Sequence, residues 1–228
     1  MKVIYSTNPK QEATDALAKL FKEYKNIPVL FLSSGGSALA LVEPSILSEN
    51  AELTVSVLDE HYTEDETNRN FCKLQKTAYF LALKKMGATV FDPFGGAVEE
   101  AGKRFDTFLK DWRVKYPTGK IVVTVGMGSD GHTAGIVPFS DADSFQKLFF
   151  TPDTLAVGYK TGYGPFPERV TATCSLIAKA SDVILYAVGR EKAEALLTFL
   201  DGRRPIHDFP AMFLKTLPSV TLFTDISS

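Results

Sequence analysis

Cysteine is almost missing from this chain of 228 residues: only Cys72 and Cys174 occur, and their spacing suits no metal. Two thiols build no disulfide framework, which points to a reducing compartment. Basic blocks are missing too, and the net charge is −2, so nothing draws the chain as a whole to nucleic acid. An anionic ligand must then be recognised by a few placed residues. No run approaches the roughly 18 consecutive apolar residues of a membrane span. Residues 1–15 lack an apolar stretch of signal-peptide length. These absences predict a soluble, cytoplasmic protein with no membrane or nucleic-acid partner.

What is present is an ordinary globular composition, 45% hydrophobic and 23% charged. β-like runs are expected at 3–5, 27–32, 53–58, 88–91, 120–125, 155–159, 169–173, 182–188 and 220–223. Helical spacing is expected after Pro9, over 38–47, 71–86, 96–116, 142–150, 175–180 and 190–200. The run 27–32 (IPVLFL) is continuously apolar, as in a strand covered on both faces. Strands and helices alternate with no shift in composition and no repeat. That predicts a single α/β domain over 1–228: three layers, a mostly parallel sheet, helices on both faces, Rossmann-like. Trp112 and its neighbouring phenylalanines are expected in the core.

Several strand ends carry chemistry. Ser33-Ser34-Gly35-Gly36-Ser37 follows the apolar run, where bare glycines let backbone N–H groups approach an anion and hydroxyls add donors. It is neither a P-loop nor a G-x-G-x-x-G turn, so a dinucleotide is poorly supported. Asp59-Glu60-His61 ends the next strand and precedes a polar loop with Glu64, Asp65 and Glu66. Run 122–138 (VVTVGMGSDGHTAGIVP) delivers Asp130 and His132 in a glycine turn. Read alone, that turn is also a strand end with a solvated histidine, and both readings stand at this point. Residues 160–168 (KTGYGPFPE) form a Gly/Pro-rich loop of functional length. In a parallel sheet these strand-end loops meet at one edge, where ligands of α/β folds bind.

In sequence order these residues resemble the sugar-phosphate isomerase/lactonase family, which holds 6-phosphogluconolactonases and glucosamine-6-phosphate deaminases. Ser34–Ser37 resembles its SGGS phosphate loop, Leu58-Asp59-Glu60 its strand-end Asp-Glu, and 126–134 (GMGSDGHTA) the lactonase motif GMGxDGHTAS. Pro167–Thr171 resembles P-x-R-[VI]-T, Gly189–Ala193 resembles G-x-x-K-A, and Pro210–Leu214 resembles P-A-x-x-L. The deaminases place a Glu before the proline that ends the third motif. Here Val137 precedes Pro138, and valine exchanges no proton, which favours the lactonase branch. Three positions depart from the lactonases: Gly135 stands for their Ser, His61 for the Arg of their Asp-Glu-Arg, and Arg69 for the Ser of their Ser-Asn after the loop. Arg69, before Asn70, is a possible substitute for that cation.

The resemblance implies hydrolysis of 6-phosphogluconolactone, with no cofactor and no metal. His132 is the implied general base, Asp130 its orienting partner, and Asp59 a holder of sugar hydroxyls or water. Backbone N–H groups of 126–131 are the implied oxyanion donors. Ser34, Gly35, Gly36, Ser37, Arg169 and Lys192 would bind the phosphate. The expected partner is a small sugar phosphate, and the expected state a monomer or small homo-oligomer. Two other functions remain: an amino-sugar-phosphate isomerase/deaminase, or a sugar-phosphate sensor without catalysis.

Overall fold

The structure, a computed structural model, describes residues 1–48, 52–162 and 164–227. Strand β1 (Lys2–Tyr5) leads into α1 (Pro9–Glu23), whose first-turn proline lacks an N–H that would have no helical partner anyway. Next come β2 (Val29–Ser33) and β3 (Leu53–Val57), buried along their whole length. They are followed by β4 (Asp59–His61), α2 (Asn70–Gln75), α3 (Ala78–Met86) and β5 (Thr89–Val90). The middle of the chain forms α4 (Val98–Lys115), β6 (Lys120–Gly126), α5 (Ala142–Phe149), β7 (Ala156–Lys160) and β8 (Glu168–Ala172). Then α6 (Cys174–Ile177), β9 (Asp182–Tyr186), α7 (Ala193–Asp201) and β10 (Val220–Thr224) follow.

Seven strands form one parallel sheet in the order β1-β10-β9-β6-β2-β3-β5. Successive strand residues face opposite ways, so each strand feeds two cores. Leu30 and Leu32 join Val123, Leu185, Phe105 and Phe199 on one side. Val29 and Phe31 join Leu17, Phe21, Val122 and Leu83 on the other. The first side carries α4 to α7 and the second α1 to α3, which makes the expected three layers. Trp112 is in the first core, where its Nε1–H donates to Thr54 Oγ1 at 3.1 Å. Among the described residues no helix is long and apolar enough to cross a membrane.

Three expectations change. First, β4, β8 and β7 form a separate antiparallel sheet, which the sequence reading had as a strand end and two isolated runs. Its support is a contact of backbone on backbone with α4. A Cβ on Gly158 would fall 1.7 Å from the Val98 carbonyl oxygen, and one on Gly102 would fall 1.9 Å from the Gly158 nitrogen. Second, the expected helix over 38–47 is two 3₁₀ turns, Gly36–Leu41 and Pro44–Ile46. Pro44 brings no N–H and pushes Glu43 into extended backbone, so one helix cannot continue through it. Third, the helix over 71–86 breaks at Thr77. The Thr77 hydroxyl donates to the Leu74 carbonyl at 2.7 Å and accepts from Phe80 N–H at 3.1 Å, ending α2 and capping α3.

Candidate active site

The carboxyl ends of β2, β3 and β6 open onto a cavity of about 350 Å³. That size suits a small-molecule ligand. Ser34, Gly35, Gly36 and Ser37 line one side, Gly126–Gly128 with His132 and Ala134 the floor, and Asp59 with Arg169 the wall given by the small sheet. Lys192 reaches in from the 3₁₀ turn Arg190–Lys192 that opens α7.

His132 and Asp130 form a dyad. Asp130 Oδ1 lies 2.6 Å from His132 Nδ1 and accepts the His132 backbone N–H at 3.1 Å. A carboxylate only accepts, so the neutral ring carries its proton on Nδ1 and leaves a lone pair on Nε2. Burial alone would raise the Asp130 carboxyl, but the imidazole and backbone donors bring it down to about 2. The anion is therefore fixed at neutral pH. Gly128 is what permits this approach: a Cβ there would fall 2.2 Å from His132 Nδ1 and 2.5 Å from Asp130 Oδ1. The same turn corrects one expectation. Gly128 N–H donates to the His132 carbonyl at 2.9 Å and Gly131 N–H to the Gly128 carbonyl at 3.0 Å. These two donors hold the turn together and are not free for an oxyanion.

Asp59 is 4% exposed and Arg169 6%, and their charged atoms are 4.0 Å apart. Burial raises the Asp59 carboxyl above its usual range, with Arg169 and then His132 opposing. Ser34 Oγ approaches Asp59 Oδ1 at 3.4 Å. Arg169 is incompletely satisfied: its Nε is buried without a hydrogen-bond partner among the described residues. A buried guanidinium in that state suits an anionic ligand. Lys192 Nζ donates to Ser37 Oγ at 2.9 Å, joining the ammonium to the Ser-Gly-Gly-Ser loop. Burial lowers the Lys192 ammonium below its ordinary value, a cost that a bound anion would relieve. The loop runs into a 3₁₀ turn instead of a long helix, so no large helix dipole assists it.

Residues 10–222 match the family described as glucosamine-6-phosphate isomerases/6-phosphogluconolactonase. The chain belongs to that family. A 6-phosphogluconolactonase of Borreliella burgdorferi is 25% identical over 184 residues, covering 77% of this chain and 69% of its own. A glucosamine-6-phosphate deaminase of Streptococcus thermophilus is 26% identical over 204 residues, covering 86% and 84%. In structure, a 6-phosphogluconolactonase from Plasmodium vivax superposes with a TM-score of 0.75 at 16% identity, over 99% of this chain and 90% of that one. At that identity the likeness is one of fold.

Against the family pattern, Asn70 is the cleft residue that the sequence reading passed over. Its Nδ2 donates to the Asp59 carbonyl at 3.0 Å and to Asp59 Oδ2 at 3.3 Å. The available signal was the family's Ser-Asn pair, whose second residue Asn70 keeps; in the fold a Cβ on the facing Gly35 would fall 2.1 Å from Asn70 Oδ1. Arg69 is not in the cleft lining. Its guanidinium lies over the Phe94 ring at 4.0 Å and donates to Glu66 at 2.9 Å, so it does not supply the family's cation. His61 does line the cleft but is no cation either, since burial, then Arg169 and Lys73, lower its pKa to about 4.

The other family departure, Gly135, has a steric reason. A Cβ there would fall 2.8 Å from Thr171 Cβ and 3.2 Å from Asp59 Cβ. Its N–H donates to Thr171 Oγ1 at 3.1 Å and its carbonyl accepts Tyr159 O–H at 2.6 Å, which fastens the turn to β7 and β8. Val137, where a deaminase would hold Glu, is 1% exposed. The acidic run Glu64–Glu66 is exposed loop, and His207 lies outside the cleft lining.

Proposed function

We propose that the chain is a 6-phosphogluconolactonase, residues 1–228 working as one unit, with His132 as general base. The observation that carries this reading is the Asp130–His132 dyad, its Nε2 lone pair in the same cleft as Arg169 and Lys192. Asp130 keeps the imidazole in the tautomer that accepts a proton, the arrangement a water-activating base needs. Water adds to the lactone carbonyl carbon as its proton passes to His132 Nε2. The tetrahedral oxyanion then collapses, the ring C–O bond breaks, and the imidazolium returns the proton to the departing ring oxygen. The products are the carboxylic acid and the freed hydroxyl. Lys192 with the Ser34–Ser37 loop, and Arg169 from the facing wall, bind the phosphate, and Asp59 with Asn70 holds sugar hydroxyls.

The deaminase relatives give a second reading its weight, and Val137 weighs against it because no side chain there exchanges a proton. The test is turnover of 6-phosphogluconolactone by the wild type and His132→Ala, with binding of 6-phosphogluconate measured alongside. The expected result is a loss of about 10²- to 10⁴-fold in kcat with ligand affinity held within about threefold. Equal loss of turnover and affinity contradicts the general-base role. Lactone decay at its uncatalysed rate with wild-type protein contradicts the lactonase. Ammonia release from glucosamine-6-phosphate would move the chain to the deaminase branch.

A further inference from the structure

His61 occupies the cleft wall opposite the glycine turn, and its surroundings differ from those of a side chain that reads charge. It is the antiparallel partner of Arg169 across β4 and β8, so the two side chains share one face of the small sheet. Its ring lies flat on the Phe166 ring, centroids 4.0 Å apart and planes 14° apart. Its Nδ1 lies 3.1 Å from the Asn68 carbonyl oxygen. A carbonyl only accepts, so that nitrogen bears the proton and Nε2 presents a lone pair. Among the described residues Nε2 has no hydrogen-bond partner.

Phe166, the ring on which the imidazole stacks, is half-buried. Pro165 and Pro167 restrict the backbone on either side of it. The 161–167 connection, whose Tyr163 lies outside the described residues, is closed at its base by a bond from Thr161 N–H to the Pro167 carbonyl at 2.6 Å. Below it, Lys160 and Glu168 are strand partners and pair at 2.9 Å. Pro165, Phe166 and His61 all face the cavity that also holds Arg169 and Lys192.

We infer that His61 and Phe166 form the specificity wall of the cleft: a flat face whose side-chain acceptor, His61 Nε2, accepts a hydrogen bond from a sugar hydroxyl and does not pair with a phosphate oxygen. This rests on the lactonase reading for the sugar ring itself. The consequence is a division of labour inside the cavity. Arg169 and Lys192 take the anionic end of the ligand, and the His61 wall selects for a hydroxyl at one ring position. A lactone lacking that hydroxyl leaves Nε2 unpaired in a partly buried place, and a site built to bond a hydroxyl discriminates strongly against the analogue without it.

The experiment compares 6-phosphogluconate with its 2-, 3- and 4-deoxy analogues by calorimetry, and the corresponding lactones by turnover. Three proteins are used: wild type, His61→Phe and His61→Gln. Phenylalanine keeps the flat stack on Phe166 and removes the acceptor, while glutamine restores an uncharged acceptor. Wild type is expected to lose roughly 10- to 100-fold in affinity for one deoxy analogue. That penalty disappears in His61→Phe and partly returns in His61→Gln. Because each penalty is a ratio within one protein, a general loosening of the fold does not change it. Penalties unchanged by His61→Phe, in a protein that still hydrolyses the lactone, overturn the wall and leave the lactonase standing. A wild type that neither binds the acid nor hydrolyses the lactone overturns both.

Discussion

A methyl group on residue 128 has nowhere to go except into the space between His132 and Asp130, whose bonded atoms would lie 2.2 and 2.5 Å from it. The dyad therefore depends on a residue that does no chemistry. Gly128→Ala is expected to push the imidazole off the carboxylate while the strand beneath stays intact, since β6 is buried and paired on both sides. Lactone kcat should fall by about 10²-fold or more. KM and melting temperature should change little, because the cations and the core are untouched. Steady-state kinetics with a thermal melt check this, and a kcat close to wild type would mean that the ring keeps its bond in another position. Residues also mark the limit of what the sequence makes legible. Asp130, His132 and the Ser34–Ser37 loop were readable because glycines surround them. Arg69 and Asn70 are neighbours of similar polarity at the start of α2. Only the direction that each side chain takes puts Asn70 on Asp59 and Arg69 on Phe94.

At the scale of elements, the site is assembled from two sheets. The parallel sheet supplies the glycine turn and the Ser-Gly-Gly-Ser loop, while the small antiparallel sheet supplies Asp59, His61 and Arg169. Its strands were hard to read for a physical reason. Asp59-Glu60-His61 is entirely polar, with no apolar alternation to signal a strand. Its extended form comes from pairing with β8, and Glu60 is held inside by accepting N–H bonds from Asn70 and Phe71. By contrast β2 announces itself, because the run that leads into it is continuously apolar, as in a strand covered on both faces, whereas β3 (LTVSV) is buried throughout although Thr54 and Ser56 interrupt it. The joint between the small sheet and α4 is the Gly102–Gly158 approach. Gly158→Ala forces a methyl against the Val98 carbonyl, so the helix and β7 must separate. Unfolding free energy should drop by about 2 kcal/mol or more, as for other overpacked contacts. Amide exchange should accelerate in β7 and β8 more than in β2 and β6, as expected when one cooperative unit loosens. Urea unfolding and hydrogen exchange by mass spectrometry test it, and uniform acceleration across both sheets would contradict a local joint.

For the molecule as a whole, the buried ionisable groups of the small sheet set how stability responds to pH. Burial lifts the Glu60 carboxyl to about 7, although the Phe71 and Asn70 N–H groups pull the other way. Beside it, burial and Arg169 lower the His61 imidazole to about 4. Between its ordinary 4.5 and about 7, Glu60 binds a proton more readily in the folded chain, so its contribution falls as pH rises through that window. Between about 4 and its ordinary 6.5, His61 binds a proton more readily in the unfolded chain, so its contribution falls as pH drops. The two responses oppose each other over most of the same range. Replacing His61 with Phe removes one and leaves the other. The stability of His61→Phe relative to wild type should therefore rise as pH falls from 7 to 4, by roughly 2–3 kcal/mol. For Glu60→Gln the sign reverses, and the variant should gain on wild type as pH rises from 4.5 to 7. All other titrating groups are common to the proteins compared, so differences in urea unfolding free energy at a series of pH values isolate each limb. A gap between His61→Phe and wild type that ignores pH would mean that His61 titrates alike in the folded and unfolded chain, and that the wall it forms with Phe166 is open to water.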